Sequence, residues 1–532
     1  MSAALHTSTA SATVSRLGRR VAVAGVTLVA FVLALGLFSM TVFNRAHNEQ
    51  MYVAAAYLLS KGQRLYSDFA FVQMPYSVLN YALVYVLTGG GFFLLKAKLI
   101  NWLWMLLGAW LLFGRARRAA HDTLLALILL VLYFANYYLL RATIEASNYA
   151  MPLALALVAY VVWLRGVEGR MKYPLAAFLA GIAVGGAVGA KLYYVTLALP
   201  FALAALLYPR HFTLGKRIAQ GILPLALGGV IALLPVGYYA LRDWELFAFN
   251  NLGYHTLNAQ WREQNGFTDL SLAYKWDTAR DLIGNPNYLI LELWLVAALL
   301  LGWSHKLSQN ERIQHTLPAP GLFLAGTAAL VSTLTAFTPA PLFPQYFAMP
   351  IPFLLLWMAE LYGGLAQQAR WVLLRLAAVC AVVGILFVLP RHTQSLTRLL
   401  RGEAWSGVVA MREAEQIRGV LQTSDTAVIP PLATLSPVLA LEAGIPFYPE
   451  LATGSFLLRV GDLLTPEQRA RYIATSPSTL AALLDATPPA AILIGDEGDA
   501  EIPLRHYAEQ HGYRPADLTL TSGELWLRDA GE

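Results

Sequence analysis

The sequence predicts a polytopic α-helical membrane protein of about eleven spans. Interfacial helices are expected in its first outer loop, and a small α/β domain outside the cytoplasm at its C-terminus. Three observations predict this. The 532-residue chain is 57% hydrophobic and only 13% charged, whereas soluble domains are about 45–50% apolar and about 25% charged. Apolar runs of the roughly 20 residues needed to cross a bilayer recur along it. The short loops between those runs are alternately basic and non-basic. Such a composition excludes disorder, a disulfide scaffold, a coiled coil and a single soluble enzyme. The net charge of +6 comes from 38 Lys and Arg against 32 Asp and Glu. That mild excess lies beside the spans, so nucleic acid is not an expected partner. Cys380 is the single cysteine, so neither an intramolecular disulfide nor a Cys metal site is expected.

The candidate spans lie at about 21–43, 97–113, 123–140, 150–164, 174–189, 192–208, 218–240, 287–303, 319–338, 346–363 and 371–390. The first follows Arg16, Arg19 and Arg20. It is too long for a signal peptide and has no convincing small-residue cleavage site, so it reads as a retained span after a cytoplasmic tail of about 20 residues. Basic clusters follow alternate spans: Arg115, Arg117 and Arg118; Arg165, Arg170 and Lys172; Arg210, Lys216 and Arg217; Lys306 and Arg312; and Arg370. By the positive-inside rule these loops and the N-terminus are cytoplasmic, in a multi-pass inner-membrane protein. The other side receives about 44–96, 141–149, 241–286, 339–345 and everything after 390. The run at 75–93, with Pro75 and Gly89-Gly90-Gly91, would invert that alternation as a span and reads as an interfacial helix. Residues 48–60 read as a short helix with Asn48 as its cap and Glu49 in its first turn.

Residues 391–532 carry many charges and prolines and no spanning run. Strands are expected near 426–429, 490–494 and 524–527, and helices near 404–422, 465–473, 477–485 and 500–511. The acidic stretch Gly495-Asp496-Glu497-Gly498-Asp499 lacks calcium-loop spacing and reads as a solvated turn.

The first outer loop concentrates the candidate chemistry: His47, Asn48 and Glu49, then Tyr66 and Asp68, then Gln73 to Tyr76. A carboxylate beside the bilayer can serve as general base for an attacking hydroxyl or amine. Equally, Glu49 can be a helix-start residue and Asp68 a turn residue. Arg141, Glu145 and Asn148 open the second outer loop. Lys191 lies between two apolar runs, where an ionisable side chain either binds something or snorkels. The third outer loop holds Trp244, Tyr254, His255, Trp261, Tyr274, Lys275 and Trp276, which suit sugar stacking or an interfacial aromatic belt. No HExxH, CxxC, P-loop or GxGxxG after a strand is present, so neither a metal site nor a nucleotide site is marked.

Together these pieces resemble the polyprenyl-phosphate-sugar-dependent glycosyltransferases of the C superfamily, including the protein O-mannosyltransferase-like and lipid A aminoarabinose transferase-like families. The likeness rests on the Asn48-Glu49 pair, the small apolar helix after it and Tyr66-Ser67-Asp68-Phe69; on Arg141 with Glu145 and Asn148; and on Gly181, Gly185 and Gly186 before Lys191. Pro344-Gln345-Tyr346-Phe347 with Pro350 and Pro352 completes it. The layout matches over about residues 20–390. The resemblance implies inverting transfer of a sugar from a polyprenyl-phosphate donor to an extracytoplasmic lipid, glycan or protein acceptor. Glu49 or Asp68 would be the base, and Arg141 and Lys191 would hold the donor phosphate. His47, Asn48, Tyr66, Glu145, Asn148, His255, Lys275, Gln345 and Tyr346 are further cleft candidates. The family's acidic pair is Asn48-Glu49 here, and Asn accepts no proton, so the base must be another residue. No cofactor is implied with certainty, although Glu145 can also hold a divalent cation. A flippase of a lipid-linked glycan and a non-catalytic assembly protein are the alternatives.

Overall fold

The computed structural model describes residues 2–267, 271–308, 317–422, 430–495, 497–521 and 523–528. The strand expected at 426–429, Arg312 and Asp496 lie outside them, as do the side chains of Arg16 and Lys306.

Among the described residues, seven helices are long and apolar enough to cross a membrane: Leu17–Phe43, Phe93–Ala120, Ala150–Val167, Tyr173–Ala190, Pro286–Ser304, Pro344–Gly363 and Gln367–Leu396. Two more expected spans are broken helices. Thr123–Phe134 meets Tyr137–Thr143 at 58°, and Leu214–Ala232 meets Leu234–Arg242 at 51°. The first break has a local cause. The Asn136 carboxamide oxygen accepts from Tyr138 N at 3.0 Å and Leu139 N at 3.2 Å, which starts a new helix. At the second, Pro235 opens the new helix. The last two expected spans are the shorter apolar helices Leu192–Leu207 and Pro320–Ala336. The molecule is thus a polytopic helical membrane protein. Its Tyr76–Thr88 helix, at 13 residues, is too short to span alone.

The glycines before Lys191 have a packing role. A side chain at Gly181 would meet Leu225 O at 2.0 Å, and one at Gly185 would meet Gly229 O at 2.7 Å. Glycine lets the Tyr173–Ala190 and Leu223–Ala232 helices approach backbone to backbone.

The basic ends of the spans interlock. Arg19 pairs with Asp122 at 3.1 Å, and Asp122 also caps the next helix by accepting from Leu124 N and Leu125 N. Arg115 pairs with Glu168 and with Glu360.

Beyond Leu396 the chain forms a four-stranded sheet: β1 Leu432–Thr434, β2 Ala491–Ile494, β3 Tyr513–Pro515 and β4 Glu524–Arg528. Its order is β1-β2-β4-β3, with β1 parallel to β2 and the other pairs antiparallel. The helices Ser406–Leu421, Pro466–Tyr472, Leu480–Ala486 and Ile502–Gln510 fall where expected. This segment packs onto the first loop. Met51, Val53, Phe71 and Tyr81 share one apolar core with Ile417, Leu439, Leu457 and Leu493. The 495–499 stretch is only partly a solvated turn: the Glu497 side chain is buried and paired with His47 at 2.5 Å.

Candidate active site

Glu49 sits near the start of the first-loop helix His47–Ser60. Its Oε1 receives the Lys98 ammonium at 2.5 Å and Ala146 N at 2.9 Å, and its Oε2 receives Ala46 N at 3.3 Å. Both Glu49 and Lys98 are essentially inaccessible, at 2% and 0% exposure. This carboxylate therefore ties together the first loop, the Phe93–Ala120 helix and the second loop. Asp68 closes a surface turn. It accepts from Arg64 N at 2.7 Å and from the Arg64 guanidinium at 2.6 Å. The Arg64 hydrogen bonds hold the Asp68 carboxyl below its usual range. Neither acid is presented to the cavity described next.

That cavity is lined by Asn48, Gln73, Tyr149, Lys191, His255, Gln345 and Tyr346, with Tyr52, Tyr254 and Phe456. Every loop expected on the outer side contributes to it. Lys191 follows the Tyr173–Ala190 helix directly, in an extended conformation. Its ammonium donates to Asn148 Oδ1 at 2.8 Å and lies 3.6 Å from the centroid of the Tyr149 ring. Asn148 Nδ2 in turn donates to Gln73 Oε1 at 2.9 Å. Lys191 is thus a buried cation held by a neutral amide and aromatic faces, with only 6% exposure. No carboxylate neutralises it in these contacts.

Asn48 is inside the helix rather than at its cap, which is Ala46. The Asn48 amide donates to Glu145 Oε2 at 2.9 Å. Burial pushes the Glu145 carboxyl above its usual range, over the opposing pull of that amide; the Glu49 charge adds to the rise. Tyr66 adopts a positive φ of 66° and donates to Gln73 O at 2.7 Å, holding the loop segment that carries Gln73. His255, Gln345 and Tyr346 line the cavity. His47 turns away from it, toward Glu497. Arg141 is exposed in the last turn of Tyr137–Thr143. Lys275 reaches Thr338 O at 3.4 Å instead of the cavity. No three His, Cys, Asp or Glu side chains converge as metal ligands among the described residues.

Residues that sequence reasoning missed include Lys98, Tyr52 and Tyr149. An ionisable residue in the apolar Phe93–Ala120 helix is a signal that pointed to Lys98. The aromatic walls carried none, because tyrosine is common at membrane interfaces.

Comparison of the chain with family models and with curated proteins gives no match. Among solved structures, ArnT from Cupriavidus metallidurans bound to undecaprenyl phosphate is similar at a TM-score of 0.58 and 16% identity. The similarity covers 96% of this chain and 98% of that one. The same protein in its apo state gives 0.59 and 15% over the same shares. This near-complete overlap shows that the chain has the fold that ArnT takes.

Proposed function

We propose that the protein is an inner-membrane glycosyltransferase. It moves a sugar, with inversion, from a polyprenyl monophosphate to an acceptor outside the cytoplasm, where the C-terminal segment also lies. The observation that carries this reading is the buried Lys191 ammonium, held by Asn148 and Tyr149 and facing a cavity at the end of apolar helices. A polyprenyl phosphate needs a cation at that depth, with apolar surface beside it for its tail. A structure of like fold that binds undecaprenyl phosphate supports the same reading.

In the reaction the acceptor oxygen forms a bond to the anomeric carbon as the bond from that carbon to the phosphate oxygen breaks. The electron pair leaves on the phosphate, stabilised by Lys191, and Arg141 is a second cation able to approach the head group. The acceptor proton goes to a carboxylate. We assign that role to Glu145 rather than to Glu49 or Asp68: none of the three lines the cavity, but Glu145 is joined to it by Asn48, which does. Glu49 is committed to Lys98 and two backbone amides, and Asp68 is held by Arg64. Glu145 has a raised pKa and one oxygen oriented by Asn48. Asn48, at a position that resembles the family's acid, would then position the base rather than act as it.

The test uses purified protein in vesicles, a radiolabelled polyprenyl-phosphate sugar and an envelope fraction. Label transferred to a new product supports the proposal. Label that crosses the bilayer unchanged, with no product, overturns it in favour of transport.

A further inference from the structure

A second and larger cavity, of about 920 Å³, lies beside the first. That volume falls in the range of small-molecule sites, about 300–1,000 Å³. The two cavities share their walls in consecutive residues. The Tyr254–Gln264 helix gives Tyr254, His255 and Asn258 to the first and Trp261 and Gln264 to the second. The Ser455–Val460 helix gives Phe456 to the first and Ser455, Leu458 and Arg459 to the second. Asn48 lines the first and His47 the second.

The lining has a distinct chemistry. Trp261 and Phe267 stack with centroids 5.4 Å apart and 18° between planes. The Arg459 guanidinium lies 5.5 Å from the Trp261 centroid and 5.2 Å from that of Phe456. Arg459 Nη2 is also 3.3 Å from His47 Nε2, while His47 Nδ1 is 2.5 Å from Glu497 Oε2. Arginine only donates, so His47 Nε2 accepts and His47 Nδ1 carries the proton given to Glu497. This carboxylate–imidazole–guanidinium chain is neutral as a unit. Asp462 and Asp499 remain, so the lining is net negative.

From this we infer that the second cavity is the acceptor subsite and takes a saccharide without phosphate groups. Stacked rings offer apolar faces to sugar rings, and Asp462, Asp499, Gln264 and Asn265 offer partners to hydroxyl or ammonium groups. The two uncompensated carboxylates repel a phosphorylated head group. The inference rests on the glycosyl-transfer reading above, since the shared walls matter only if a sugar passes between the cavities.

The full-length protein in nanodiscs, applied to a glycan array with phosphorylated and unphosphorylated saccharides, tests this. Thermal stabilisation by undecaprenyl phosphate is measured in parallel. The expected result is binding to unphosphorylated saccharides that falls at least fivefold in Trp261→Ala and in Phe267→Ala, with stabilisation by the lipid unchanged. Phe267 is exposed, so its truncation threatens folding little. Binding to no saccharide, preference for phosphorylated ones, or binding unaffected by both substitutions would overturn the inference. Loss of lipid stabilisation in the wild type would instead overturn the donor reading.

Discussion

Lys98 Nζ and Glu49 Oε1 are 2.5 Å apart, and both side chains are sealed from solvent. Removing one member of such a pair strands a buried charge, at a cost of about 3–5 kcal/mol, whereas replacing both costs much less. Glu49→Ala and Lys98→Met should therefore each lower thermal stability in detergent strongly, and the Glu49→Met/Lys98→Met double variant should recover most of it. If Glu49→Ala unfolds like the wild type yet transfers no sugar, Glu49 is the base after all.

Lys191 has Asn148 as its hydrogen-bond partner and no carboxylate in contact. A charge-assisted hydrogen bond contributes about 1.5–3 kcal/mol. Lys191→Ala should accordingly weaken undecaprenyl phosphate binding by about 10- to 100-fold, read by titration in nanodiscs. Asn148→Ala, which frees the ammonium but keeps the charge, should weaken it less.

Glu145 is surrounded by Glu49, Arg141 and Lys98 as well as Asn48, and its pKa is raised. A base works only when ionised, so transfer should rise with pH through a midpoint above the ordinary glutamate value. Asn48→Asp places a second carboxylate against Glu145. Like charge raises the pKa further, so that midpoint should move to higher pH in a pH–rate profile of the reconstituted enzyme. A shift to lower pH, or none, would contradict the assignment.

Glu442 links the C-terminal segment to the bundle by accepting from Leu94 N at 3.0 Å. Burial pushes its carboxyl up to about 7, against the backbone amides at the helix start and Lys96. Between the unfolded value near 4.5 and 7, the native state binds more protons than the unfolded one, so stability falls as pH rises through that window. At about 1.36 kcal/mol per unit the effect is on the order of 3 kcal/mol. Glu442→Gln should flatten this fall in denaturation measured from pH 5 to 8.

Much of the fold was legible because a bilayer demands long apolar runs and positive-inside loops demand cations, both local properties. The breaks at Asn136 and Pro235 and the last spanning helix continuing through Pro390 to Leu396 depend on capping and packing that a hydropathy window averages away. Three-residue strands such as Tyr513–Pro515 form because β4 already offers an edge. In the site, Lys191, Gln345 and Tyr346, which line the cavity, and Asn148, which holds Lys191, stood out as polar groups beside apolar helices. The partners of Glu49 and His47 did not. Lys98 is 49 residues from the first, and Arg459 is 412 from the second. No spacing rule connects residues so distant.

In the proposed reaction Glu145 takes the acceptor proton while Lys191 holds the phosphate. Its most direct test is Glu145→Gln, with undecaprenyl phosphate binding and sugar transfer measured on the same reconstituted sample. Binding should be unchanged and transfer should fall by about 10²–10⁴. Transfer at the wild-type rate would contradict the account.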